Sequence, residues 1–259
     1  HRDLHSFPTR RSSDLLAYNP LSSIPPQGSC AGTTGSLDVS SLLGVGGGSS
    51  GVPDNQFLGR ELDAGDMLTL RGPLGSRTIE HIDTTAKTGP YLSLLGGAIP
   101  GLTGGDPLFL DPGSYTLSGT GGKDVGAFSV NYTLPPAVTW TNKAQITQID
   151  RANGLRFTWS GGDPAQQSVL IAGGGTDQTT KASGGFVCLV SVADGQFTVP
   201  ASALANVPVT RAGASSDESL SGIVFGTLPN QNLTMFQASG LDAAMVIHGS
   251  LSVKTVTVR

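Results

Sequence analysis

A chain of 259 residues with a formal charge of −4 and only 13% charged residues shows no basic stripe that would neutralise phosphates, so nucleic acid is excluded as an expected partner. No run of about 18 apolar residues occurs, so no helical membrane span is expected. Glycine (37) and proline (16) are frequent enough to break long helices and supply many turns, and abundant Thr and Val suit pleated strands, so an all-β fold is expected.

The first fifteen residues, HRDLHSFPTRRSSDL, differ from the rest. They hold Arg2, Arg10 and Arg11 and two of the four histidines, and no Met opens them. The string resembles the translation of a sequencing adapter fused to the reading frame. On that resemblance residues 1–15 are set aside from fold reasoning, and the true N-terminus, with any export signal, is expected to lie elsewhere. The remainder carries 12 basic and 17 acidic side chains, so the acidic lean grows.

From Leu16 to about Val52 the chain is rich in Pro, Ser and Gly, with one strand candidate at Ser36–Leu43. Gly46 to Gly51 reads as a flexible loop. A phosphate cradle would need a strand before it, a helix after it and a Lys. Clearer alternation starts near Leu62. Strands are expected around Met67–Leu70 and Thr78–Ile82, joined at Gly72-Pro73-Leu74-Gly75, then at Tyr91–Leu95 and Val125–Leu134. Between them Asp111, Gly113 and Tyr115 form a D-x-G-x-Y pattern. It resembles the tyrosine corner of immunoglobulin-like sandwiches, in which the Tyr hydroxyl bonds back to upstream backbone. Gly119 to Asp124, GTGGKD, has a superficial phosphate-loop look, but Asp124 stands where a hydroxyl is required and a strand follows, so a hairpin turn is expected.

Leu134 to Pro164 carries both tryptophans and opens on a Pro-Pro break, and it is read as the joint between two domains. Beyond it, strands are expected at Ile146–Ile149, Leu155–Trp159, Val169–Ala172, Phe186–Val192, Gln196–Val199, Ser219–Leu228, Leu233–Ala238 and within Met245–Val258. A single helical turn is expected within Pro200–Val207. Short strands at roughly ten-residue spacing point to two tandem antiparallel β-sandwich domains, 16–135 and 136–259.

Chemistry-bearing residues are sparse. Cys30 and Cys188 are disulfide candidates, a bridge that would remove about 4 kcal/mol of unfolded-chain entropy. Cys188, inside FVCLV, reads more readily as a buried free thiol. His81 and His248 stand alone, without the convergent donors that zinc needs. Asp63, Asp66, Asp106, Asp163, Asp194 and Asp242 sit mostly beside Gly or Pro, where carboxylates cap turns. No EF-hand-type loop occurs for calcium, and a glycosidase would need two of these acids facing across a cleft. Trp140, Trp159, Tyr91 and Tyr132 are candidates for stacking on a sugar ring, although alternating strands usually send tryptophans into a core, Trp140 at the joint and Trp159 in the second domain. No catalytic, cofactor or metal residues are assigned.

The PGSYTL turn, the WTNKAQIT stretch (Trp140–Thr147) and GQFTVP (Gly195–Pro200) resemble uncharacterised tandem Ig-like modules of secreted proteins from environmental bacteria. The resemblance covers about Leu62 to Arg259 and implies export and a sandwich fold. It supplies no catalytic residues. The function expected is a non-catalytic extracellular scaffold or adhesion module whose partner is a cell-surface protein or a polysaccharide. The alternatives are a carbohydrate-binding module using exposed aromatics, and a hydrolase built on a carboxylate pair.

Overall fold

The computed structural model describes residues 24–35, 62–93, 95, 108–210, 219–230, 234–242, 244–246 and 248–259. Residues 1–15, the strand candidate at Ser36–Leu43, the loop Gly46–Gly51 and Asp106 fall outside them. All described residues but Ile24 belong to one unit, Pro25–Leu37 with Arg60–Arg259. The fold is all-β, with antiparallel sheets apart from one two-residue parallel pair.

The larger layer is a five-stranded sheet in the order β1-β11-β10-β13-β16: β1 (Ser29–Thr34), β10 (Gln167–Asp177), β11 (Ala182–Ser191), β13 (Ser219–Pro229) and β16 (Ser250–Thr255). One face carries Val169, Ile171, Phe186, Cys188, Val190, Ile223 and Phe225. It packs on Trp140 of β7 (Val138–Trp140), on Leu155, Phe157 and Trp159 of β9 (Leu155–Gly161) and on Val199 of β12 (Gln196–Val199). These three strands form the second layer, in the order β12-β9-β7. Leu204 of α1 (Ala201–Leu204) closes one end. The other face of the large sheet is buried too over β10, β11 and β13, with Leu170, Ala172, Val187, Val224 and Leu228 all at or below 6% exposure. Burial on both faces explains the near-continuous apolar runs VLIA and FVCLV, where a half-solvated strand would alternate.

Two strands run longer than their apolar cores. β10 and β11 continue through Gly173–Gly175 and Gly184–Gly185, residues that composition assigns to loops. The packing explains them. A Cβ at Gly173 would lie 2.7 Å from the Phe186 ring, and one at Gly184 would lie 2.0 Å from the Asn206 carbonyl oxygen. Glycine here admits an aromatic ring and a neighbouring backbone onto the sheet.

β1 was not expected from its sequence. It lies at the sheet edge, paired in antiparallel register with β11, and places Cys30 directly opposite Cys188. The two sulfurs are bonded, with Cα atoms 4.1 Å apart. Such close approach suits a non-hydrogen-bonded antiparallel pair, where side chains come nearest. The reading of Cys188 as a free thiol is therefore corrected. It is buried, as the FVCLV run implies, but it is bonded across the sheet. Only Cys30 of β1 packs on the core, and most of the strand is half-buried or exposed. Ordering each residue costs about 1–2 kcal/mol, whereas each ladder hydrogen bond contributes about 0.5–1.5 kcal/mol net. The bridge, across 158 residues, adds about 4–5 kcal/mol of loop-closure entropy and decides that balance.

The other five-stranded sheet has the order β4-β3-β2-β5-β6: β2 (Met67–Gly72), β3 (Gly75–Asp83), β4 (Thr88–Leu92), β5 (Gly113–Gly119) and β6 (Phe128–Leu134). β2 and β3 join through Pro73-Leu74, with Gly72 opposite Gly75, as the sequence indicates. Leu70, Tyr115 and Phe109 centre its core, with Ile79, Leu117, Tyr132 and Leu134 packed around them. The opposite face is polar, with Thr69, Thr78, Ser118 and Ser129 in register across four strands.

Segments cross the expected boundary at 135/136 in both directions. β1 belongs to the later sheet. The hairpin of β14 (Thr234–Phe236) and β15 (Ala244–Val246) packs on the earlier one, where Phe236 stacks on Phe128 at 5.1 Å, His248 on Tyr132 at 6.4 Å, and Gly126 N–H donates to Ser239 O. The chain closes with β17 (Thr257–Val258) parallel to β8 (Gln148–Ile149), and Arg259 clasps the Asp150 carboxylate at 2.9 Å.

Candidate functional site

A shallow pocket of about 160 Å³ lies on β2, β3 and the turn after β3, lined by Asp66, Met67, Glu80, His81, Thr84 and Lys87. Local sequence explains its shape. Asp83 ends β3 by accepting from the N–H groups of Thr85 and Ala86, an Asx turn. Lys87 leaves that turn with φ of +52° and bonds Asp66 across the pocket mouth. Both partners are more than half exposed, so the pair contributes about 0–1 kcal/mol. At the pocket floor the His81 ring lies 4.0 Å from the Tyr91 ring, centroid to centroid, and its Nε2 is 3.2 Å from Gly65 O. Tyr91 donates its hydroxyl to the same carbonyl and accepts from Ala64 N–H. Every one of these contacts holds the Ala64–Asp66 segment on the sheet. The pocket is a shallow polar recess built on structural bonds.

The GTGGKD loop lies beside it, and its chemistry is the opposite of a phosphate cradle. Asp63 presents its own carboxylate to the loop. One oxygen accepts from Gly65 N–H and the other from Lys123 N–H. Asp63 N–H donates to the Asp124 carboxylate, and Asp63 O accepts from the N–H groups of Asp124 and Val125. Gly122 is required because a Cβ there would lie 2.1 Å from the Asp63 carboxylate. A protein carboxylate already fills the place where an anion would bind.

The remaining acids lie on separate turns and loops. Asp163 caps its turn, accepting from Ala165 N–H and from the Gln166 amide, Asp194 is the last residue of the 3-10 turn Val192–Asp194, which Ser191 and Gly195 cap, and Asp242 lies exposed beyond β14. Among the described residues no group of three or more His, Cys, Asp or Glu is arranged to hold a metal ion.

The stacking candidates are corrected by burial. Trp140 is 7% exposed and Trp159 is 5% exposed. Phe225 lies between them, 5.4 Å from Trp140 and 5.9 Å from Trp159, and Phe157 stacks on Trp140. The indole N–H of Trp159 donates to Val192 O, and that of Trp140 to Asn142 Oδ1. Both rings are core residues with satisfied polar tips, and Trp140 serves the later sandwich instead of a joint between domains. Tyr132 is sandwiched between Tyr115 and His248, and Tyr91 is committed to the Gly65 carbonyl. The large hydrophobics that are exposed among the described residues are Leu, Val and Met, with no aromatic ring.

The D-x-G-x-Y pattern is a built corner. Tyr115 is 1% exposed, and its hydroxyl donates to Asp111 O at 2.8 Å and lies 3.2 Å from Phe109 O. Gly113 has φ of +147° and lies against Pro73. Burial pushes the Tyr132 phenol up to about 12. It raises Tyr115 as well, and Tyr91 rises through burial with help from Asp63 and Asp66. A phenol whose folded pKa is raised stabilises the fold fully below the unfolded value near 10 and loses that stabilisation as pH climbs toward about 12. Ionisation of Tyr91, Tyr115 and Tyr132 is therefore expected above the ordinary phenol value near 10, together with loss of the β-sheet circular dichroism signal. Early ionisation with an intact sheet signal would contradict this assignment.

Comparison with protein-family models, curated proteins and solved structures gives no match to this chain. The sequence offers Cys30 and Cys188 as a candidate bridge, which the structure forms, but no strand is expected at Ser29–Thr34, where β1 pairs with β11.

Proposed function

We propose that this protein is an exported, non-catalytic β-sandwich module that serves as a scaffold or adhesion element, built from two Ig-like lobes. The Cys30–Cys188 bridge carries the reading. Disulfides persist in oxidising surroundings and are rare where glutathione keeps thiols reduced, and this one secures an edge strand that packing alone holds weakly. The tyrosine corner supports the Ig-like description. The commitment of all four stacking candidates to intramolecular contacts favours scaffold duty over ring-stacking recognition of sugars.

Two measurements test it. Free thiols are alkylated in cells producing the natural full-length protein, followed by fractionation and mass analysis. The expected result is protein outside the cytosol with both cysteines protected until a reductant is added. Cytosolic protein with both thiols alkylated would overturn the export reading. Titration with soluble polysaccharides is expected to leave tryptophan emission unchanged, because both indoles are covered. A saturable shift would instead favour the carbohydrate-binding alternative.

A further inference from the structure

We propose that the β1 position on the β11 edge is an exchangeable slot latched by the Cys30–Cys188 bridge, and that the Ser29–Thr34 strand of a second copy of this chain docks there, linking copies covalently. Four observations converge on it. Among the described residues β1 is the edge strand of the large sheet and pairs with β11 alone. Its side chains give the core little besides Cys30, and Thr33 Oγ1 is buried with no hydrogen-bond partner among the described residues. β11, by contrast, is anchored through Phe186, Val187, Cys188 and Val190, all at or below 2% exposure, and stays paired to β10 along its whole length. Removing β1 would therefore leave an intact sheet with an open, apolar edge, the configuration that recruits another strand. Only a strand with a cysteine at the matching register can restore the bridge, and the same six residues of another copy meet that requirement by identity.

Reach allows the exchange. Residues 36–61 lie between the β1 end and the anchored segment before β2, a length of chain whose full contour is roughly 90 Å, which sets the reach available to β1 while β2 stays in place. The chemistry balances without a net oxidant. A low-molecular-weight thiolate attacks the bridge and forms a mixed disulfide at Cys30, freeing the Cys188 thiolate. The Cys188 thiolate of a second copy attacks that mixed disulfide and expels the small thiolate. Repeated reciprocally, two intrachain disulfides become two interchain ones and the small thiol is regenerated. The inference does not depend on the export reading, since it needs only the sheet edge and the bridge.

The test uses equal amounts of natural-isotope and 15N-labelled full-length protein, mixed at high concentration with a catalytic amount of reduced glutathione, then quenched with acid and alkylated. Disulfide-linked peptides are read by mass spectrometry in each size fraction, with tryptophan emission recorded beforehand. In the dimer fraction, roughly half of the Cys30–Cys188 peptides are expected to be isotopic hybrids, as random reciprocal pairing requires, while emission remains that of buried indoles. Isotopically pure peptides in every fraction would overturn the proposal, as would hybrids formed only when emission matches the unfolded chain. A second readout guards against ambiguity. In C30S/C188S, amide exchange at Ser29–Thr34 is expected to accelerate at least tenfold while β10 and β13 keep their protection. Equal protection of β1 and β10 in that variant would show that the strand needs no latch.

Discussion

Replacing Phe225 by alanine is expected to lower the stability of the later sandwich by about 3–5 kcal/mol, the range for truncating a large buried aromatic. Phe225 sits on β13, 3% exposed, and it is the ring shared by the other aromatics of that core. It stacks on Trp140 with planes 19° apart, lies parallel to Phe157 at 6.4 Å and tilts against Trp159. Removing it leaves a void between two sheets whose strands are held in register by flanking pairs, Ile171 on one side and Ser252 on the other. The walls cannot collapse without breaking those ladders, so the cavity cost is expected near the upper part of the range. Against a total stability of about 5–15 kcal/mol for an ordinary domain, this leaves a marginal fold. Urea unfolding followed by tryptophan emission measures it directly, since both indoles line the void. Phe225→Leu, which refills most of the space, is expected to cost less than half as much. A loss below about 1 kcal/mol for the alanine variant would mean the aromatic cluster is not the keystone of this core.

That core was the part of the molecule most legible in the sequence. Phe157 and Trp159 alternate around Thr158, which fixes a strand with one apolar face, and the structure places both rings inward. FVCLV and VLIA gave apolar strands but not their two-sided burial, because a continuous run does not say what covers each face. The tyrosine corner was readable for a different reason: Asp111, Gly113 and Tyr115 are neighbours in sequence, so the contact is local. What could not be read depended on partners far apart. Asp63 and Asp124 are 61 residues apart, and neither position announces that one carboxylate will tie down the other's loop. β1 was hidden for the same cause. Its six residues, SCAGTT, have no apolar periodicity, and they become a strand because β11 offers an edge and Cys188 offers a bond. The glycine extensions of β10 and β11 were missed because composition records the absent side chain but not the Phe186 ring that fills its place.

Gly72→Ala is expected to cost about 3 kcal/mol or more in the earlier sheet, although it adds a single methyl group. Gly72 has an ordinary backbone conformation, so no strain enters through φ. The penalty is steric, because the new Cβ would lie 2.1 Å from Cε1 and 2.5 Å from Cδ1 of Tyr115. The ring covers the glycine at the end of β2, and it is confined on its other side by Tyr132 at 5.6 Å. Relief requires the Tyr115 ring to swing out, which sacrifices a fully buried side chain and both approaches of its hydroxyl to the Asp111 and Phe109 carbonyls. Overpacking alone costs about 1–3 kcal/mol, and the lost corner adds to it. Tyr115→Phe isolates the hydroxyl and is expected to cost about 1–1.5 kcal/mol. The variant also tests the two-lobe reading, because both tryptophans lie in the other sandwich. The hairpin Thr234–Val246, which packs on the earlier sheet, is inserted between β13 and β16, and its release only lengthens a loop, at little entropic cost. Gly72→Ala is therefore expected to show an early urea transition by circular dichroism while tryptophan emission keeps its original midpoint. Coincident transitions shifted together would instead mean that the two sheets unfold as one cooperative unit.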